Sequence, residues 1–175
     1  NLDNVMTVTE IKSFLRVEHS VDDALLVRIR NAAVEYVQEY TNTLVGPHSC
    51  VGYSDRWRTT QIPVGPVSLI NGVSYLAQNG GSYQTLDSGF WFGDIDAKPA
   101  RVRFLSPPTL AADEFNAVKI TFSAGFTDVP ASMVHAIFML SANMYEQRLP
   151  EVVGTITSAT KYGVESLLST HRIIF

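Results

Sequence analysis

With 175 residues, 46% of them hydrophobic, the chain has the length of a single domain and enough apolar material for a real core. Its 13 Lys+Arg stand against 17 Asp+Glu, a net charge of −4, which argues against a dedicated binder of nucleic acid or of anionic membrane. One cysteine, Cys50, excludes an intrachain disulfide and a cysteine-based metal cluster.

The first predicted element is a short helix. Thr7-Val8-Thr9-Glu10 has the form of a capping box and precedes the apolar residues Ile11, Phe14 and Leu15. A longer helix follows over 20–41, where Leu26, Ile29, Ala33, Tyr36 or Val37, and Tyr40 recur at three- and four-residue spacing. Ser20-Val21-Asp22-Asp23 supplies a second capping pattern, with both acids favoured at the positive helix end. The pair predicts a helical hairpin over 7–41.

Gly46-Pro47 breaks the helical regime. From 51 to 125, aromatic and β-branched residues cut by Gly, Pro and Asn predict strands at 53–62, 67–78, 83–86, 90–92, 100–105 and 117–124. Asn79-Gly80-Gly81 suits a tight hairpin turn. The last strand has the clearest pattern, because Val118, Ile120 and Phe122 alternate with Lys119, Thr121 and Ser123.

Helix returns at Pro130 and runs to Gln147 or Arg148, with an apolar stripe of Val134, Ile137 or Phe138, Ser141, and Met144 or Tyr145. Pro150 ends it. Residues 151–162 read as extended or mobile, and a short helical stretch is expected at 164–169. Ile173-Ile174-Phe175 is an apolar segment that either folds into a core or is handed to a partner. The expected fold class is α+β in one domain, 1–175. It comprises an antiparallel helical bundle (the hairpin plus a third helix at 130–148), a β-rich insertion at 51–125, and a C-terminal segment with an extended tail at 151–175.

Residues with the right chemistry for catalysis are present without the right arrangement. His19, His48, His135 and His171 are scattered, with no metal-ligand spacing, and no nucleophile elbow or phosphate-cradling glycine loop occurs. Asp94 and Asp96 beside Trp91 match the paired acids of glycoside hydrolysis, and equally a polar turn between strands. Arg56, Trp57 and Arg58 near Tyr53 suit stacking on bases or sugars, and equally an intersubunit strand. Trp57, Trp91 and Tyr75 would be the platform of a ligand-binding module, or core aromatics. The expectation is a chain with no cofactor, no metal and no enzymatic activity. No apolar run reaches membrane-span length, and Asn1-Leu2-Asp3-Asn4 lacks the basic region of a signal peptide. Synthesis in the cytosol follows as the simple expectation, with either Met6 as the natural start or residues 1–5 native.

The order of these motifs resembles the head-tail connector (adaptor) proteins of tailed bacteriophages, in the gp6-like and gp8-like connector families. The resemblance is strongest across Val8-Thr9-Glu10-Ile11-Lys12, Leu15-Arg16-Val17, Asp22-Asp23-Ala24-Leu25-Leu26, Ala32-Ala33 and Glu35-Tyr36. It continues through the strand Val118 to Phe126, Val129-Pro130-Ala131, Tyr145-Glu146-Gln147-Arg148, Val152-Val153-Gly154-Thr155, and the terminal Leu167-Leu168 with His171-Arg172-Ile173.

The resemblance implies a non-enzymatic virion protein of the head-tail junction, made in the host cytoplasm. It would assemble as a ring, typically dodecameric in such families, below the portal, as part of the DNA exit channel and the attachment point of the neck or tail. It implies three partners: the portal, copies of itself, and a downstream neck or tail protein. DNA would pass without specific binding, a role that an acidic chain suits. It further implies that the terminal segment docks on the portal, with Leu167, Leu168, Arg172 and Ile173 matching the family pattern and Ile174 and Phe175 extending it. The alternatives are another neck or tail component, such as a head-completion or tail-terminator protein, a carbohydrate-active enzyme, or a ligand-binding module.

Overall fold

The computed structural model describes residues 6–78, 81–111, 114–147 and 158–175. Their helices and antiparallel sheets make the chain α+β, as its patterning predicts. The chain divides into two compact units: one from Asn1–Gly46 and Phe126–Arg172, the other from Pro47–Gly125 and Ile173–Phe175. It passes between them after Gly46, after Gly125 and after Arg172. Gly125 takes φ of +116°, a conformation closed to most L side chains, while its N–H donates to the Pro66 carbonyl at 2.8 Å.

The first unit is helical. Helix α1 (Val8–Leu15) starts with the expected capping box: the Thr7 hydroxyl accepts the Glu10 N–H, and the Glu10 carboxylate accepts the Thr7 N–H at 2.7 Å. Helix α2 (Asp23–Thr41) buries Leu26, Ile29, Ala33 and Val37, the stripe that the spacing predicts, with Tyr36 and Tyr40 partly buried beside it. Its second capping box does not form. The Asp23 carboxylate, which a capping box would turn back to Ser20, pairs with Lys12 at 2.7 Å instead, and the N-cap residue is Asp22, which makes no side-chain cap bond and accepts the Tyr145 hydroxyl at 2.7 Å. Helix α3 (Ala131–Glu146) begins one residue after Pro130, whose extended ψ of 137° keeps it outside the helix while its carbonyl accepts the first N–H groups. Arg148, Pro150 and residues 151–157 lie outside the described residues.

Helix α4 (Ser158–Leu168) corrects the expectation of extended chain through residue 162. Its first turns carry no apolar stripe to announce a helix, and it ends by burying Val164 and Leu168 in the same core as Met133, Ala136, Ile137 and Leu140. Burying these large side chains contributes about 1.5–3 kcal/mol each, enough to override the weak local propensity around Gly163.

The second unit holds two antiparallel sheets. One contains β1 (His48–Ser54), β3 (Val67–Tyr75), β4 (Gln84–Thr85) and β7 (Val118–Ala124), in the order β1-β7-β3-β4. Strand β7 is central, and its alternation of buried Val118, Ile120 and Phe122 with half-buried Lys119, Thr121 and Ser123 is the one the sequence shows. The other contains β2 (Thr60–Ile62), β5 (Trp91–Asp94) and β6 (Ala100–Phe104), in the order β2-β6-β5. The predicted strand at 53–62 is therefore two strands in different sheets, separated by the turn at 55–59. Asn79 and Gly80 of the expected hairpin turn lie outside the described residues. The two sheets touch where Ile70 of β3 packs against the backbone of Gly93 in β5, leaving no room for a Cβ there.

Candidate functional site

The end of α4 and the segment after it divide their side chains between core and surface. Leu168 is fully buried and Leu167 packs partly buried against the helical core, so both hold α4 in place. A 3-10 turn (Ser169–His171) follows, in which the His171 Nε2 lies 2.8 Å from the Ser132 hydroxyl and the ring meets Phe126 edge-on. The Arg172 guanidinium lies 5.2 Å from the centre of the Tyr40 ring, a cation–π distance.

Beyond Arg172 the backbone is extended and joins the sheet unit. Ile173 is buried there, with its δ-methyl seated against Gly65. Ile174 and Phe175 remain 75% and 67% exposed. The six residues expected to bind a portal thus sort into core (Leu167, Leu168), anchors (Arg172, Ile173) and two free apolar side chains (Ile174, Phe175).

Phe175 also lines a shallow groove with Thr60, Gln61 and Arg101 of the β2-β6-β5 sheet and with Arg58 and Pro63, which flank β2. The groove adjoins a second one, which shares Thr59 and Arg101 with it and extends to Phe92 and Arg103. The register explains this surface. Val102 is buried, so its neighbours Arg101 and Arg103 both point outward, opposite Asp94 and Phe92 of β5. Phe92 is 63% exposed. Sequence reading passed over these residues, although Arg101-Val102-Arg103 carries the alternation that marks one wet face.

Several residues of the catalytic and ligand-binding alternatives are engaged in structural contacts. Arg101 donates to Asp94 at 2.9 Å, and this bond, followed by that from the Ala97 N–H, holds the Asp94 carboxyl below its ordinary range. A general acid of a glycosidase needs the opposite shift. Trp57 donates to the Pro108 carbonyl at 2.7 Å and packs against Tyr75 and Phe104, which makes it part of the sheet packing rather than a free stacking platform. Cys50 is half-buried, and burial pushes its thiol up, away from nucleophilic thiolate. Among the described residues no three His, Cys, Asp or Glu side chains are placed to hold a metal, and no helix is long and apolar enough to cross a membrane.

Residues 5–79 match the family model of the phage gp6-like head-tail connector protein, so the resemblance carried by the N-terminal helices is borne out over that stretch. Solved structures with the same fold extend the likeness to nearly the whole chain. A chain in the neck of an empty gene transfer agent (GTA) particle, computed with C6 symmetry, is 20% identical with a TM-score of 0.78. One in the neck of a native GTA particle, computed with C12 symmetry, is 21% identical with a TM-score of 0.76, and one in the virion of a native GTA particle is 20% identical at 0.75. Each alignment covers 98% of this chain and 91% of the other. At these identities the likeness is one of fold. No curated protein matches the chain.

Proposed function

We propose that this chain is a structural head-tail connector of a tailed phage or a phage-like particle, located in the virion at the head-tail junction. The observation that carries the reading is the agreement of two comparisons: a connector family model over residues 5–79 and the fold of neck components over 98% of the chain. The role is mechanical rather than catalytic. Copies of the chain form a ring, dodecameric in the reading favoured here, through which DNA passes. The acidic total supports passage without grip, because a negative wall repels phosphate.

The portal contact is assigned to Ile174 and Phe175, two large apolar side chains left in solvent beside an anchored Ile173. Such side chains gain most from a partner's apolar socket, since removal of their surface from water is worth about 25 cal/mol per Å2. The next neck or tail component is left to the β-rich insertion, 51–125, on surface other than that of these two side chains. Removing Ile174 and Phe175 tests the portal contact without touching the anchors: the variant stays folded and no longer binds the portal. Undiminished portal binding would contradict the assignment.

A further inference from the structure

The outward face of the β2-β6-β5 sheet carries more positive charge than the sheet itself neutralises. Arg101 has Asp94 at 2.8 Å, but the exposed Arg58 and Arg103 have no carboxylate partner among the described residues. Arg103 stands opposite exposed Phe92, so the face combines guanidinium groups with an aromatic anchor, the composition enriched at protein interfaces. Pairing this face with itself across a two-fold axis would set arginine against arginine. It therefore suits a heterologous contact, in which one patch meets a different patch on the neighbour.

The complementary patch is present in the same chain. The sheet unit's charges balance in sequence, so the helical unit holds the chain's excess of acid. On α2 the exposed stripe ends in Glu35 and Glu39, one turn apart and without a cationic partner among the described residues. Both sit in the C-terminal half of α2, where the helix dipole is already negative and no basic residue occupies the last turn. Like charges at i,i+4 disfavour the isolated helix as well. Burial and then Glu165 of α4 raise the Tyr36 phenol, so a third carboxylate stands close to this stretch of α2. Two carboxylates at the wrong end of a helix are an arrangement that a cationic neighbour relieves.

We infer that adjacent copies of this chain contact each other by docking the Arg58, Arg103 and Phe92 face of one subunit's sheet against the Glu35 and Glu39 face of α2 on the next. The inference rests on the ring assembly proposed above and names the two surfaces that make it. A head-to-tail contact of this kind closes into a ring when the rotation per subunit divides the circle, and the similar neck structures were computed with such cyclic symmetry, C6 and C12.

The test is a charge swap read by native mass spectrometry and electron microscopy, with the full chain and its cognate portal. Arg58→Glu with Arg103→Glu, and separately Glu35→Arg with Glu39→Arg, each weaken ring formation by about tenfold or more, the scale of truncating close charge pairs across an interface. Mixing the two variants restores rings of even subunit number with alternating copies, because every contact then joins opposite charges. The neutral pairs Arg58→Gln with Arg103→Gln, and Glu35→Gln with Glu39→Gln, give an intermediate loss and carry the test if a reversal fails to fold. Assembly of both reversed variants at wild-type strength, or failure of the mixture to recover, overturns the inference while leaving the ring reading intact. Rings that form normally but no longer hold the portal assign the groove to the portal and also overturn it. A wild-type chain that forms no ring with its portal removes both readings.

Discussion

The δ-methyl of Ile173 lies 2.7 Å from where a Cβ on Gly65 would stand. Glycine at 65 is therefore the seat that lets the chain's last residues join the sheet unit, and the two positions are coupled. Gly65→Ala forces the end of a flexible side chain to move rather than backbone, so the loss of global stability is at the low end of overpacking, about 1 kcal/mol. The larger effect falls on the segment. Limited proteolysis and amide exchange should show residues 173–175 more accessible in Gly65→Ala, while Ile173→Ala, which shortens the side chain, should restore accommodation at 65 in the double variant.

Arg30 is 5% exposed in the middle of α2, where it donates to the Met6 carbonyl at 3.0 Å and ties the entry of α1 to the long helix. Arg30→Met keeps much of the apolar stem and removes the donor. The Met6 carbonyl then loses a buried partner, which costs about 1–3 kcal/mol. A urea midpoint lowered with an unchanged m-value is the expected outcome, since the change affects stability and leaves the surface exposed on unfolding the same.

Two carboxyls are held low by their folded surroundings: Glu10 by the Thr7 N–H and then the Thr7 hydroxyl, and Asp94 by Arg101 and then the Ala97 N–H. A depressed folded pKa contributes stability that is present above the unfolded value and lost as pH falls through the folded one. The ordinary values are 4.5 and 3.8, so these contributions are complete at neutral pH and disappear as pH drops below that range. Thr7→Ala removes the capping box and lowers stability by about 1 kcal/mol at pH 7. Denaturation at a series of pH values should show the gap between Thr7→Ala and wild type shrinking in acid, because Glu10 protonation removes part of the same interaction.

What the sequence revealed follows from period and burial. The β7 alternation and the α2 stripe were readable because one face of each is buried and the other is wet, which leaves a clean signature. The start of β1 at His48 was not, because His48, Ser49 and Cys50 form an edge strand whose burial does not alternate strongly. Helix α4 escaped notice because only Val164 and Leu168 reach full burial and a glycine stands in its interior. Burial of Arg30 depends on a carbonyl twenty-four residues away, a tertiary fact with no local trace. The terminal segment showed its apolar character in sequence, but only the folded chain separates Leu168 and Ile173, which are buried, from Ile174 and Phe175, which are not. The basic face around Arg101 and Arg103 needed the β5 register to bring Phe92 alongside.

The connector reading is tested most directly by the mass and shape of the purified protein, alone and mixed with its cognate portal, using light scattering and electron microscopy. The account predicts rings, either free or assembled on the portal from monomers, and predicts that the variant lacking Ile174 and Phe175 stays folded but dissociates from the portal. A protein that remains monomeric and ignores the portal under conditions where it is folded would contradict the account.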